Sequence, residues 1–184
     1  MKYFVDDKYV DDYIMFSILE EIEFYSGTER KKMLKVKKGN GSMLYGNTWK
    51  GFLKYDTNKK KILRAIDPQT PNRYLTKVKA ENPELEEIFR EYSKKYFPNF
   101  KWKQIQMNKN FQCPPHKDSS NVGKSICCAF GEYEGGTLCI DMGGDVIIQV
   151  DPRKKPVKFN GSKNTHWVTP HSGGNRYSLV FFTN

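Results

Sequence analysis

Apolar residues change their period along this chain, from helical in the first half to alternating in the second. Over residues 8–25, Val10, Ile14, Ile18 and Ile22, with Tyr13, Phe16 and Leu19, form a broad stripe at helical spacing. Asp11 and Asp12 suit the N-terminal end of such a helix, and Gly27 its stop. A clearer helix opens at Asn82-Pro83-Glu84, with Asn as cap, Pro in the first turn and three glutamates near the positive end. Leu85, Ile88, Phe89, Tyr92 and Tyr96 follow at helical spacing, and Pro98 ends it. Both helices read as scaffold. From Lys101 onwards, seven short segments rich in β-formers are separated by Gly, Pro, Asn or Asp: 101–108, 125–130, 137–140, 146–150, 157–159, 165–169 and 176–182. Ser172-Gly173-Gly174-Asn175 predicts a hairpin turn between the last two. Helices first and strands afterwards predict an α+β fold whose second half is a β-sandwich or jelly roll.

The length of 184 residues fits one domain spanning 1–184, with residues 1–99 as helical and hairpin support and 100–184 as the core. A hydrophobic content of 38%, with 14% aromatic, is that of a globular chain. No run of eighteen apolar residues is present, so no membrane span is expected. The start, Met-Lys-Tyr-Phe-Val-Asp-Asp, lacks the apolar stretch of a secretory signal. The four cysteines (113, 127, 128, 139) form no CxxC pair. A soluble, reduced, intracellular protein without a zinc cluster is the expectation.

Charge changes the picture. The net charge is +10, yet residues 1–29 hold eight acidic against two basic side chains. The remaining chain is therefore a strongly basic body, suited to a polyanion such as nucleic acid or, equally, to solvation. Six of the nine residues in 30–38 are cationic, and the alternating Lys35-Val36-Lys37 leads into a Gly39-Asn40-Gly41 turn. With Tyr45 and Trp49 close behind, residues 30–50 read either as an exposed hairpin or as a lid that grips nucleic acid by charge and stacking. Lys59-Lys60-Lys61 is a weaker signal of the same kind.

The chemistry concentrates in Cys113-Pro114-Pro115-His116-Lys117-Asp118-Ser119-Ser120-Asn121. In an extended segment, side chains at i and i+2 share a face, so His116 and Asp118 could grip one metal ion. Two imidazoles and one carboxylate make a non-haem iron(II) site with open positions. The third ligand is His166 or His171, and the strand around His166-Trp167-Val168 favours His166, because a metal site needs a rigid frame. On the closing strand Arg176 and Ser178 share a face, an arrangement that would clamp a carboxylate. Cys127 and Cys128 point to opposite faces of one strand and read as core.

The series His116-x-Asp118…His166…Arg176-x-Ser178 resembles the iron(II)/2-oxoglutarate-dependent dioxygenases, which are built on a double-stranded β-helix. Glu134-Gly135-Gly136-Thr137-Leu138, Phe159-Asn160-Gly161 and Gly174-Asn175-Arg176-Tyr177-Ser178-Leu179 resemble other pieces of that family. The resemblance covers about residues 100–184. It implies Fe(II) on His116, Asp118 and His166, and 2-oxoglutarate on Arg176 and Ser178, with O2 as co-substrate. Pro115-His116-Lys117-Asp118-Ser119-Ser120-Asn121, with Gly123-Lys124-Ser125 and Cys127-Cys128, is most similar to the TET/JBP branch, which oxidises the methyl group of methylated pyrimidines in DNA. That likeness makes Asn121 the base contact, a role an amide can fill because it both donates and accepts. The alternative for Asn121 is an Asx-turn that caps the loop. The branch's Cys-rich zinc region has no counterpart here, and the chain is shorter than typical TET enzymes. The expected function is hydroxylation of a methylated base in nucleic acid, DNA more than RNA. The alternatives are a protein hydroxylase, prolyl or other, and a non-catalytic nucleic-acid-binding β-sandwich.

Overall fold

The protein is described here as a computed structural model, whose described residues are 10–26, 39–48 and 73–184, with the backbone of two strands between 53 and 64. The basic segment 30–38, Gly27, Trp49, and Lys59 and Lys60 lie outside the described residues. In chain order the described elements begin with α1 (Asp12–Glu21), β1 (Gly41–Tyr45), β2 (Asn47–Thr48), β3 (Leu53–Asp56), β4 (Lys61–Arg64) and β5 (Tyr74–Leu75). Next come α2 (Lys77–Glu81), α3 (Leu85–Tyr96), β6 (Gln104–Lys109), β7 (Ser125–Phe130), β8 (Glu134–Gly135) and β9 (Leu138–Gly143). The chain closes with β10 (Val146–Val150), β11 (Val157–Phe159), β12 (His166–Val168), β13 (His171–Ser172) and β14 (Tyr177–Phe182).

The helix expected over 8–25 is shorter than its apolar stripe. Asp11 caps α1 by accepting from the Ile14 N–H at 2.9 Å, and the chain turns extended at Ile22. Asn82 does not cap α3, as its sequence suggests. It closes α2 instead, donating from Nδ2 and from its backbone N–H to the Val78 carbonyl at 2.9 and 3.1 Å. Glu84 holds the position before α3, and Glu86 and Glu87 lie in the first turn, where the positive helix end favours them.

The five-stranded sheet runs β1-β6-β14-β7-β11, antiparallel throughout. Its alternation divides the molecule. Ile105, Met107, Ile126, Cys128, Leu179 and Phe181 pack in one cluster with Leu19 of α1 and with Phe89 and Tyr92 of α3. The opposite face carries Gln106, Asn108, Cys127, Ser178 and Val180, which line a cavity. A three-stranded sheet, β10-β9-β12, meets that face through Leu138 and Ile140, which cluster with Cys127 and Phe159. The fold is thus mostly antiparallel strands with few helices, and its two larger sheets face each other.

Three expectations change. The turn at residues 172–175 is not a hairpin between paired strands: β12 pairs with β9 and β13 with β8, while β14 lies between β6 and β7. The turn carries the chain from one sheet to another. The Gly39-Asn40 turn precedes a strand that periodicity did not single out, since β1 joins the large sheet beside β6. Tyr45 is no part of a lid. It is fully buried, its ring meets Phe89 edge-on at 4.9 Å, and its hydroxyl donates to Glu86 Oε2 at 2.8 Å.

Candidate metal centre and its cavity

His116 follows Pro114-Pro115 in extended chain and forms a two-way backbone bridge with His166 on β12. The His116 N–H donates to the His166 carbonyl at 3.1 Å, and the reverse bond is 3.0 Å. This bridge brings together residues fifty positions apart, with their ring centroids 4.2 Å from each other. Asp118 is fixed by its own N–H, which donates to the Gly161 carbonyl at 2.9 Å. The result is three ligand-type atoms within 4.8 Å of one another, one each from His116, Asp118 and His166.

The donor atoms point inwards for a chemical reason. A carbonyl oxygen can only accept, so the Nδ1 that contacts it must carry the proton. His116 Nδ1–H donates to Pro114 O at 2.8 Å, and His166 Nδ1–H to Asn164 O at 3.0 Å. With a metal bound, each Nε2 would therefore give it the lone pair, the orienting device common to metal-binding histidines, whereas in the metal-free chain the imidazoles hydrogen-bond to Asp118. His116 Nε2 lies 3.3 Å from Asp118 Oδ1, and His166 Nε2 lies 3.4 Å from Asp118 Oδ2. Metal–ligand bonds of about 2.1 Å at right angles place neighbouring donors about 3 Å apart, close to both histidine–carboxylate spacings, so the three residues could hold one ion. Burial alone would raise the pKa of Asp118. Hydrogen bonds from His116 and His166 reverse this and hold it well below the ordinary carboxylate range. In the metal-free chain, Asp118, with Cys113 beside it, pushes His116 up to about 10.

The same cavity, of about 460 Å³, is also lined by Arg176 and Ser178. Arg176 is 1% exposed. Its Nε donates to Gly136 O at 3.0 Å and its Nη1 reaches Ser178 Oγ at 3.5 Å, while Nη2 has no hydrogen-bond partner among the described residues. A buried guanidinium with no carboxylate partner among the described residues calls for an anionic ligand, because a lone buried charge is costly. Gly136 makes this placement feasible: its φ is +63°, and a Cβ there would stand 2.7 Å from Arg176 Nε.

Sequence reasoning missed a polar ladder across β1, β6 and β14. Gln106 Nε2 donates to Ser42 Oγ at 2.9 Å, Ser42 donates to Asn108 Oδ1 at 2.7 Å, and Asn108 Nδ2 donates to Ser178 Oγ at 3.1 Å. Ser178 Oγ thus accepts from two sides and keeps its own proton for a ligand. The available signal was the alternation Gln106-x-Asn108 on a strand whose other face is apolar.

Asn121 lines the cavity, and its Nδ2 lies 3.3 Å from Asp118 Oδ2 and 3.4 Å from Ser125 Oγ. Its N–H also donates to Asp118 O at 3.0 Å, so the residue closes the loop as well as facing the cavity. His171, the alternative third ligand, lies outside the cluster: it pairs with Gly135 on β8, and its ring meets Tyr133 at 6.2 Å. Cys127, Cys128 and Cys139 are buried, whereas Cys113 is half-buried with Sγ 3.3 Å from His116 Nδ1. Among the described residues, no helix is long and apolar enough to cross a membrane.

No protein-family model matches the chain, and no curated protein matches its sequence. Among solved structures it is similar to an oxidoreductase of the 2OG-Fe(II) oxygenase family from Burkholderia pseudomallei, at 22% identity and a TM-score of 0.40 over 45% of this chain and 43% of that one. It is similar to NgTET1, solved in complex with 5mC DNA, at 16% identity and a TM-score of 0.48, covering 91% of this chain and 68% of that one. A third is a prolyl-4-hydroxylase from Pseudomonas putida, at 12% identity and a TM-score of 0.42, covering 95% and 88%. The matched part spans less than half the length of the first of these. At identities under 25% and TM-scores under 0.5, such likenesses assign neither the fold nor the activity of this chain. The neighbours do include the oxygenase family that the sequence motifs resemble, a TET protein among them.

Proposed function

We propose that the protein is an iron(II)- and 2-oxoglutarate-dependent oxygenase that hydroxylates a C–H bond, and that its substrate is the methyl group of a methylated base in nucleic acid, DNA ahead of RNA. One observation carries this reading: His116, Asp118 and His166 converge in a cavity that also holds a buried guanidinium whose Nη2 has no partner among the described residues.

The residues fit both groups. Two imidazole Nε2 atoms and one carboxylate would hold iron(II) and leave coordination positions free. Arg176 and the Ser178 hydroxyl would take the far carboxylate of 2-oxoglutarate, the guanidinium by charge-assisted hydrogen bonds and the serine with its spare proton. When bound, iron(II) and 2-oxoglutarate supply the oxidation of the C–H bond by O2. The chain's own work is to bind, orient and keep water out, and Phe111, Leu138, Phe159 and Phe182 give the cavity apolar walls for this. The facing sheets, with the site between them, support a double-stranded β-helix within one domain.

The substrate reading rests on the loop after Asp118. Asn121 lines the cavity, while Lys117 and Lys124 on the same loop are exposed. A base drawn out of its stack would meet an amide able to read its edge, with cations near its phosphates. The test is an assay of the full chain with Fe(II), 2-oxoglutarate and O2 against methylated oligonucleotides and prolyl peptides, reading succinate and product mass. We expect succinate and one added oxygen atom on the methylated base. Oxygen added to a peptide instead would establish a protein hydroxylase, and no succinate with any substrate would leave a non-catalytic module.

A further inference from the structure

A groove of about 660 Å³ lies between α3 and residues 98–103. Arg90 and Lys94 of α3 line it from one side, Lys101 and Lys103 from the other, with Trp102 and Thr183 between. Glu91 also lines it, so four cationic side chains face one anionic. Lys94, Lys101 and Lys103 are exposed, and none has an ion-pair partner among the described residues. Arg90 is held in place. Its guanidinium lies 3.6 Å over the Trp102 ring, its Nε donates to Glu86 Oε1 at 3.0 Å, and its Nη1 donates to Trp102 O at 3.3 Å. Among the described residues Nη2 makes no hydrogen bond, which leaves it for a ligand on a cation already ordered by stacking.

The groove adjoins the cavity. Thr183 lines the groove, while its neighbours Phe182 and Asn184 line the metal-site cavity. Lys103 N–H donates to Phe182 O at 3.0 Å, and Val122 N–H donates to Thr183 O at 2.7 Å. A strand on the cations of the groove would therefore need to cross only residues 182–184 to reach the cavity mouth. There it would meet Val122, which is 66% exposed and lies between Asn121 and Lys124. An exposed apolar side chain with a cation two residues on suits a wedge between stacked bases beside a phosphate contact.

We infer that the groove of Arg90, Lys94, Lys101 and Lys103 is a binding site for the phosphate backbone of a nucleic acid strand, which it leads to the metal-site cavity. This deepens the reading of the substrate as nucleic acid and rests on it. A point-charge row suits phosphates, and the flat, fixed guanidinium suits their oxygens.

The test uses the full chain with Fe(II) and 2-oxoglutarate under nitrogen, and a fluorescein-labelled single-stranded oligonucleotide read by anisotropy across a salt series. The triple variant Lys94→Gln, Lys101→Gln, Lys103→Gln removes three of the four cations without touching the metal site. The slope of log K against log[salt] is expected to shrink by about 2, at roughly 0.7 per phosphate contact on a single strand. Affinity at low salt is expected to fall at least tenfold, with 2-oxoglutarate affinity unchanged, and the corresponding triple Lys→Arg variant should bind like the parent. An unchanged slope would overturn the inference, as would tighter binding of an oligoglutamate peptide than of the oligonucleotide. Oxidation of a methylated base with an unchanged slope would remove the groove and keep the proposed activity. A reduced slope without oxidation of any base would keep the groove and remove that activity.

Discussion

Gly161 and Asp118 are locked together: a Cβ built on Gly161 would stand 2.7 Å from Asp118 Oδ2, 3.3 Å from the Phe159 ring and 3.4 Å from the His166 ring. The Gly161 carbonyl also accepts from the Asp118 N–H. Gly161 does not have the positive φ that favours glycine, so space is what requires the missing side chain. Gly161→Ala should push the carboxylate aside and leave the fold intact, because the obstructed atom is the far end of a side chain. Co(II) or Fe(II) affinity, measured by titration, is expected to fall at least tenfold, with the thermal midpoint of the metal-free protein nearly unchanged.

Arg176 should fail as lysine. A lysine offers a point charge on a flexible stem where the site presents a planar fork held by Gly136 O. Arg176→Lys is expected to weaken 2-oxoglutarate at least tenfold, about 1.4 kcal/mol or more, in calorimetric titration of the Co(II)-loaded protein. Gly136→Ala should give the same phenotype from the opposite side, since its Cβ would meet Arg176 Nε and Cδ at 2.7 and 2.8 Å. Unchanged 2-oxoglutarate affinity in both variants would remove the clamp.

Phe181 is the centre of the helix-facing core. It is fully buried, and its ring lies 5.0 Å from Phe97, 5.3 Å from Trp102 and 6.4 Å from Phe89. Phe181→Ala should cost about 3–5 kcal/mol in denaturant unfolding. Val180 points to the cavity face of the same strand, so Val180→Ala should cost less, roughly 1–2 kcal/mol, and should instead alter 2-oxoglutarate turnover.

Glu86 carries an acid-dependent contribution. Burial raises its pKa, but the Tyr45 hydroxyl, Lys79 and Arg90 outweigh this and lower it. Tyr45 donates at 2.8 Å, Arg90 Nε at 3.0 Å, and Lys79 Nζ lies 3.6 Å away. A carboxyl depressed in the folded state stabilises above its unfolded pKa, and the stabilisation is lost as pH falls through the folded value. Glu86→Gln should therefore melt below the parent at pH 7, and the gap should close as acid protonates the depressed carboxyl. A gap that stays constant with pH would mean that the charge contributes nothing.

Much of this was legible in the chain. The segments 125–130, 146–150 and 157–159 form strands with the expected bounds, and His116-x-Asp118 share one ion-sized space. Those features are local. Alternation marks a half-buried strand whatever it pairs with, and residues two apart in extended chain share a face by backbone geometry alone.

Pairing was not legible, because it depends on contacts far apart in sequence. The turn at 172–175 has hairpin residues, yet its flanking strands pair elsewhere, since only the assembled sheets decide which edge is open. Asn82 has the chemistry of an N-cap and serves a C-cap, because the helix before it was invisible to periodicity at five residues. Tyr45 sits near a basic run and belongs to the core, because β1 was drawn in beside β6.

The sequence by itself determined which residue types are available for chemistry: three histidines, one His-x-Asp, and an Arg-x-Ser on a closing strand. Only the tertiary structure decided that His166 and not His171 completes the cluster, through a backbone bridge between residues fifty apart. It also decided that Arg176 is buried with an Nη2 that has no partner among the described residues, and that Ser178 keeps its proton because Asn108 donates to it. A side chain's type is fixed by its codon, but its partners are set by whichever strands come to lie beside it.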